Sequence, residues 1–265
     1  MREHRRAVAP GEGWTSEVSS AVALAGFLFL VFVGFTLLAM GPLISLDAYF
    51  NLTPPPPAWV SFLHVLDRIG QRAICLPVLA VAMLVCSRRV RSWRPVWLVG
   101  ASVFSVNLVV LILKVGLGRG QPEKANPSFF VGGMAYPSGH TANIVLVYGL
   151  VVYLLGHFLR LGRRTQGLLW ATVVVLSLTM VVTSLTLNWH WFADLIAGLL
   201  IGGVVLELTA AVDAAVPHTV LDRGPLEVWR AVAPRLRDRR ADAAVPAAAV
   251  APAVPEPEPA PPARE

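Results

Sequence analysis

The chain has 265 residues, of which 55% are hydrophobic and only 14% charged, against roughly 25% charged in an ordinary soluble domain. That balance excludes a freely soluble globular protein and points to a polytopic membrane protein. The formal net charge of +6 does not mark a nucleic-acid binder, because the arginines are split between short loops flanking apolar runs and the C-terminal tail, where positive-inside topology and anionic headgroups account for them.

Apolar runs long enough to cross a hydrocarbon core, about 20 residues each, lie near 21–40, 72–86, 95–115, 140–159, 168–187 and 192–211. They predict an all-α fold of six transmembrane helices. The membrane domain spans 21–211, between a cytoplasmic N-terminal segment, 1–20, and a cytoplasmic Pro/Ala-rich tail, 212–265, too poor in core-forming residues to fold. Within that tail a basic stretch around Trp229 reads as a solvated segment.

The first run reads as a retained anchor, since no small-residue cleavage site precedes Asp47. The proline run at 54–57 is a stiff extended connector. Residues 58–70 are amphipathic at helical spacing, and either extend the second span or lie along the interface. Cys75 and Cys86, eleven residues apart in the second run, sit at different helix levels and predict two free, buried thiols.

Basic clusters fix the expected orientation. Arg2, Arg5 and Arg6 precede the first span, Arg88, Arg89, Arg91 and Arg94 follow the second, and Arg160, Arg163 and Arg164 follow the fourth. All fall on one side, which predicts cytoplasmic termini and places the segments around 41–70, 116–139 and 188–190 outside.

Those outer segments carry the chemistry. Lys114 closes the third span and is followed by a flexible, glycine-rich loop through Gly116, Gly118, Arg119 and Gly120. At the mouth of the fourth span, Pro137-Ser138-Gly139-His140 presents free backbone N–H groups and a helix dipole where an anion is stabilised. Asp194 follows His190 by four residues, on one helical face, so its carboxylate can fix the imidazole tautomer and leave the other nitrogen free as a nucleophile or base. Trp189, Trp191 and Phe192 suit an aromatic belt. A belt leaves Asp194 unexplained, because an ionisable group at membrane depth is costly.

The order of Lys114, Pro137-Ser138-Gly139-His140, and His190 with Asp194 resembles the type 2 phosphatidate phosphatase superfamily. That family's pattern is Lys, six residues, Arg-Pro; Pro-Ser-Gly-His; and Ser-Arg, five residues, His, three residues, Asp. The resemblance covers roughly residues 20–211. It implies a six-span helical core, shared in outline with vanadate-dependent haloperoxidases, with its site at the extracytoplasmic face of the plasma membrane.

Carried onto this chain, the family mechanism makes His190 the nucleophile, Asp194 its orienting carboxylate and His140 the acid that protonates the leaving oxygen. Lys114, Ser138 and the N–H of Gly139 would bind phosphoryl oxygens, with no metal or other cofactor. Two positions depart from the pattern: Gln121 replaces the first-motif arginine, and Thr183-Ser184 replaces Ser-Arg in the third. Gln121 and Ser184 are possible substitutes for the lost arginines, and Arg119 is the nearest replacement cation.

The expected activity is hydrolysis of a membrane lipid phosphate, or a polyprenyl phosphate or diphosphate, through a phosphohistidine. The alternatives are headgroup transfer between lipids at the same site, as in sphingomyelin synthases, and a catalytically silent lipid-binding relative. No nucleic acid partner is expected, and the sequence carries no sign of oligomeric state.

Overall fold

Inside a bilayer each backbone N–H and C=O must be paired within its own segment, so the apolar runs become helices whose ends fall where glycine, proline or charge interrupts them. The structure, a computed structural model, describes residues 12–51, 55–225 and 227. It contains α1 (Glu12–Ala39), α2 (Ile44–Tyr49), α3 (Pro57–Asp67), α4 (Arg72–Val90), α5 (Arg94–Leu117), α6 (Gly139–Asn143), α7 (Gly149–Leu159), α8 (Arg163–Thr186), α9 (Phe192–Ala215) and α10 (His218–Leu221). A π turn, Ile144–Tyr148, joins α6 to α7 in one continuous run.

Among the described residues six segments are long and apolar enough to cross a membrane: Ser16–Ala39, Arg72–Val90, Arg94–Lys124, Gly139–Leu159, Arg163–Thr186 and Phe192–Ala215. At 1.5 Å per residue a 24-residue helix such as α9 is about 36 Å long, enough for the roughly 30 Å hydrocarbon core. The protein is a multi-pass membrane protein, all-helical among the described residues, and its spans fall where the hydropathy places them.

The amphipathic stretch does not extend the second span. It forms α3, a short 3₁₀ turn follows at Arg68–Gly70, and the extended Gln71 (ψ 139°) breaks the path before α4 begins. Pro57 opens α3 at a position that tolerates proline, so the expected connector ends earlier; Pro54 lies outside the described residues. Cys75 and Cys86 are free and buried.

Helix α9 is the hub. It packs along α1 and against α5 and α6, while α4 lies against α5 and α7. Close approach to α6 requires glycine: a Cβ on Gly198 would fall 2.1 Å from Thr141 Oγ1, and one on Gly202 would fall 2.6 Å from the Ala142 carbonyl oxygen. On the opposite side α1 turns Phe27 and Leu30 outward, 62% and 70% exposed, as a lipid-facing surface requires.

At the end carrying the arginine clusters, Arg94 is buried and pairs with Asp213, which also accepts a bond from Tyr153 Oη at 2.6 Å. This ties α5, α7 and α9 together, so Arg94 is a structural ion pair as well as a topology signal. The chain divides into two units, Met1–Asp222 and Arg223–Glu265. Helix α9 runs past the expected boundary at 211 to Ala215, and the segment around Trp229 lies outside the described residues.

Candidate active site

Four helix ends meet at the pole opposite the arginine clusters. The start of α4 brings Arg72, the end of α5 brings Lys114, the start of α6 brings Gly139 and His140, and the turn before α9 brings Trp189 and His190. These residues, with Gln71, Gln121, Glu123 and Asn143, line one cavity of about 720 Å³. That volume lies in the usual range for small-molecule sites, about 300–1,000 Å³.

His190 Nδ1 lies 3.4 Å from Asp194 Oδ2, at the i,i+4 spacing read from the sequence. The same oxygen accepts the Trp191 N–H at 3.0 Å, which closes the first turn of α9. Oδ1 accepts from Arg119 at 2.6 Å. Asp194 is therefore held on both oxygens, and the imidazole keeps Nε2 for the cavity.

Arg119 sits behind this wall and does not line the cavity. It is fully buried, and its guanidinium joins the Asp194 carboxylate to that of Asp47 on α2. Phe129, Tyr136 and Trp191 surround it, with ring centroids 4.8, 5.9 and 5.8 Å from the guanidinium carbon. A cation so enclosed and paired is unavailable to a substrate phosphate. Asp47 also accepts the Ala193 N–H at 2.9 Å. Burial pushes its carboxyl above the ordinary value of 3.8, against the opposing pull of Arg119.

The loop after α5 is more ordered than its glycine content implies. Gly118 takes a left-handed conformation (φ 50°) and caps α5 through its N–H to the Lys114 carbonyl, and Gly120 N–H bonds Ser128 O at 3.0 Å. A Cβ on Gly120 would lie 2.2 Å from the Asn126 carbonyl, so glycine here permits close packing of backbone on backbone. Trp191 Nε1 donates to Gly120 O at 2.8 Å, which fastens this loop to the entrance of α9. Trp191 is thus interior, unlike a belt residue.

The Pro137-Ser138-Gly139-His140 turn is anchored on α9: Ser138 N–H donates to Asp194 O and Thr141 Oγ1 to Leu195 O, both at 2.9 Å. Tyr136, which precedes a cis peptide bond to Pro137, is buried and hydrogen-bonds Thr36 of α1 at 2.6 Å. Burial raises its phenol to about 12, so it stays neutral at physiological pH. Ser138 Oγ is buried without a hydrogen-bond partner among the described residues and is not part of the cavity lining, to which Gly139 contributes. Lys114 Nζ reaches the cavity from α5 and donates to the carbonyls of Met134 and Ala135.

The two departures from the family pattern fall differently. Gln121 is exposed and lines the cavity. Ser184 is fully buried, donates to Met180 Sδ at 3.5 Å, and is absent from the lining.

Asp47, Asp67 and Arg72 were not singled out in the sequence. Asp67 is buried with Oδ2 3.7 Å from His140 Nε2, and Arg72 adds a cation to the cavity. Asp47 and Asp67 are isolated acids within apolar outer segments, so the cost that marked Asp194 also applied to them. Arg72 carried no such signal, because it reads as an ordinary basic residue at a span end.

Residues 95–215 match the PAP2 superfamily. No curated protein matches the chain. A solved structure, the first transmembrane PAP2 type phosphatidylglycerolphosphate phosphatase from Bacillus subtilis, is similar with a TM-score of 0.63 and 18% identity, over 73% of this chain and 98% of that one. At that identity the likeness concerns the fold. The family match takes in all three motif fragments, Lys114, the Pro137-Ser138-Gly139-His140 turn and His190 with Asp194, so over residues 95–215 the chain is similar to the PAP2 superfamily.

Proposed function

We propose that the protein is a lipid phosphatase that removes phosphate from a lipid or polyprenyl phosphate or diphosphate at the extracytoplasmic face. One observation carries this reading: two imidazoles and two cations, His190, His140, Lys114 and Arg72, converge on one cavity at the pole away from the arginine clusters. The cavity suits a phosphate and its headgroup, while the chains remain in hydrocarbon. The name of the Bacillus subtilis relative supports the same class of substrate.

In the proposed reaction His190 Nε2 bonds to phosphorus as the phosphorus–oxygen bond to the lipid breaks, and His140 gives its proton to the departing oxygen. Water then attacks the phosphohistidine, returns a proton to His140 and releases phosphate. Asp194, itself held by Arg119, keeps His190 in the reactive tautomer. Lys114, Arg72 and the Gly139 N–H receive the phosphoryl oxygens, and Arg72 stands in for the arginines missing at 121 and 184.

Gln121 in the cavity favours a second reading, transfer of a headgroup between lipids. A phosphodiester carries one negative charge where a monoester carries about two, and needs fewer cations. The deciding experiment measures phosphate release from phosphatidate, polyprenyl phosphate and polyprenyl diphosphate by detergent-purified protein beside His190→Ala. Release that vanishes in the variant supports the phosphatase. Headgroup transfer without phosphate release supports the second reading, and neither activity points to a silent relative.

A further inference from the structure

His140 has a carboxylate of its own. Asp67, the last residue of α3, is fully buried and sets Oδ2 3.7 Å from His140 Nε2. Gln71 Nε2 donates to that oxygen at 3.0 Å and holds the carboxylate in place, while Oδ1 is buried with no hydrogen-bond partner among the described residues. The corner between α3 and α4 is pressed against the histidine: Tyr148 Oη donates to Ile69 O at 3.0 Å. A Cβ on Gly70 would sit 3.3 Å from the His140 carbonyl oxygen and 3.4 Å from its Cβ. Of the charged groups acting most on His140, namely Asp67, His190, Lys114 and Arg72, only Asp67 is acidic.

The two histidines thus form mirrored pairs. His190 turns Nδ1 to Asp194, at 3.4 Å, and Nε2 away from it, whereas His140 turns Nε2 toward Asp67, at 3.7 Å, and Nδ1 away from it. We infer that Asp67 is a positioning residue for His140, holding the imidazole so that Nδ1–H faces the leaving oxygen. This inference rests on the phosphatase reading above. In the bond-breaking step the proton leaves Nδ1 for the lipid oxygen, and Asp67 holds the other edge of the ring in place. In the second step water returns a proton to Nδ1 as its oxygen bonds to phosphorus and the phosphorus–Nε2 bond of His190 breaks.

The test exploits the leaving group. A general acid contributes roughly 100- to 10,000-fold where the departing oxygen is a poor leaving group, and little where it departs readily as an aryl oxide. Dioctanoyl phosphatidate, or polyprenyl phosphate where that is faster, is compared with 4-nitrophenyl phosphate in the unmodified protein, Asp67→Asn, His140→Ala and the double variant. Asp67→Asn is expected to lower kcat on the lipid by roughly 10- to 100-fold with KM little changed, and on the aryl ester by no more than about 3-fold.

Because both substrates are read on the same preparation, their ratio is independent of how much of it is folded. The double variant is expected to match His140→Ala, as residues acting through one another are non-additive. Equal losses on both substrates, or a further loss beyond His140→Ala, overturn the role of Asp67 and leave the phosphatase reading intact. No phosphate release from either substrate by the unmodified protein overturns both.

Discussion

Replacement of Arg119 by glutamine separates two roles that the sequence left open for this arginine. If Arg119 gripped substrate phosphate, its loss would raise KM and leave the unliganded fold alone. The structure instead makes it the cation between Asp47 and Asp194, fully buried and bonded to both. Each charge-assisted bond contributes about 1.5–3 kcal/mol. Removal of one partner from a buried ionic group costs about 3–5 kcal/mol, because the remaining charges are stranded. The expected result is therefore destabilisation of about 3–5 kcal/mol, on the order of 10 °C in melting temperature for a domain of this size.

The deficit should depend on pH in one direction. Burial already holds the Asp47 carboxyl above 3.8, and loss of Arg119 removes the largest opposing pull. A folded-state value above the unfolded one stabilises at low pH and loses that contribution as pH rises through the folded value. The gap between Arg119→Gln and the unmodified protein should thus be small near about pH 4 and widen toward neutrality. Asp47→Asn in the Arg119→Gln background should recover part of the loss, since it removes one stranded charge. Thermal unfolding of the detergent-solubilised proteins across pH, with kinetics on the preferred lipid phosphate, checks this. Stability within about 0.5 kcal/mol of the unmodified protein, together with a raised KM, would refute the argument.

Two further outcomes follow from the site. Gln121→Arg places a guanidinium at the cavity wall and restores the family's first motif, so kcat/KM toward a phosphate monoester should rise about ten-fold, the equivalent of about 1.4 kcal/mol; steady-state kinetics read this, and no gain would show that the cavity does not lack a cation. Gly198→Ala drives a methyl group into Thr141 Oγ1 and the Ser138 carbonyl, at 2.1 and 2.3 Å. It should lower stability by about 1–3 kcal/mol and reduce kcat by displacing the His140 turn from α9, as melting and kinetics on one preparation would record.

Much of the fold was legible because hydropathy acts locally. A run of about 20 apolar residues has one stable solution in a bilayer, so the six spans could be placed from the sequence before any contact was known. The pairing of His190 with Asp194 was legible for a similar reason, since i,i+4 spacing sets two side chains on one helical face.

What the sequence could not supply is partnership across long separations. Asp47 and Arg119 are 72 positions apart, and Arg119 and Asp194 are 75 apart. Nothing in local patterning distinguishes an arginine aimed at phosphate from one buried behind the wall. Likewise Asp67 and Arg72 flank an interruption in the helical path that hydropathy does not resolve, and the turn at Arg68–Gly70 is what carries one to His140 and the other to the cavity. Local sequence determined which segments span the membrane and which histidine owns Asp194. Only the packing of α2, α3 and α4 around α5, α6 and α9 decided which charges face the cavity and which hold one another, because a buried charge takes its partner from whatever the fold brings within about 4 Å.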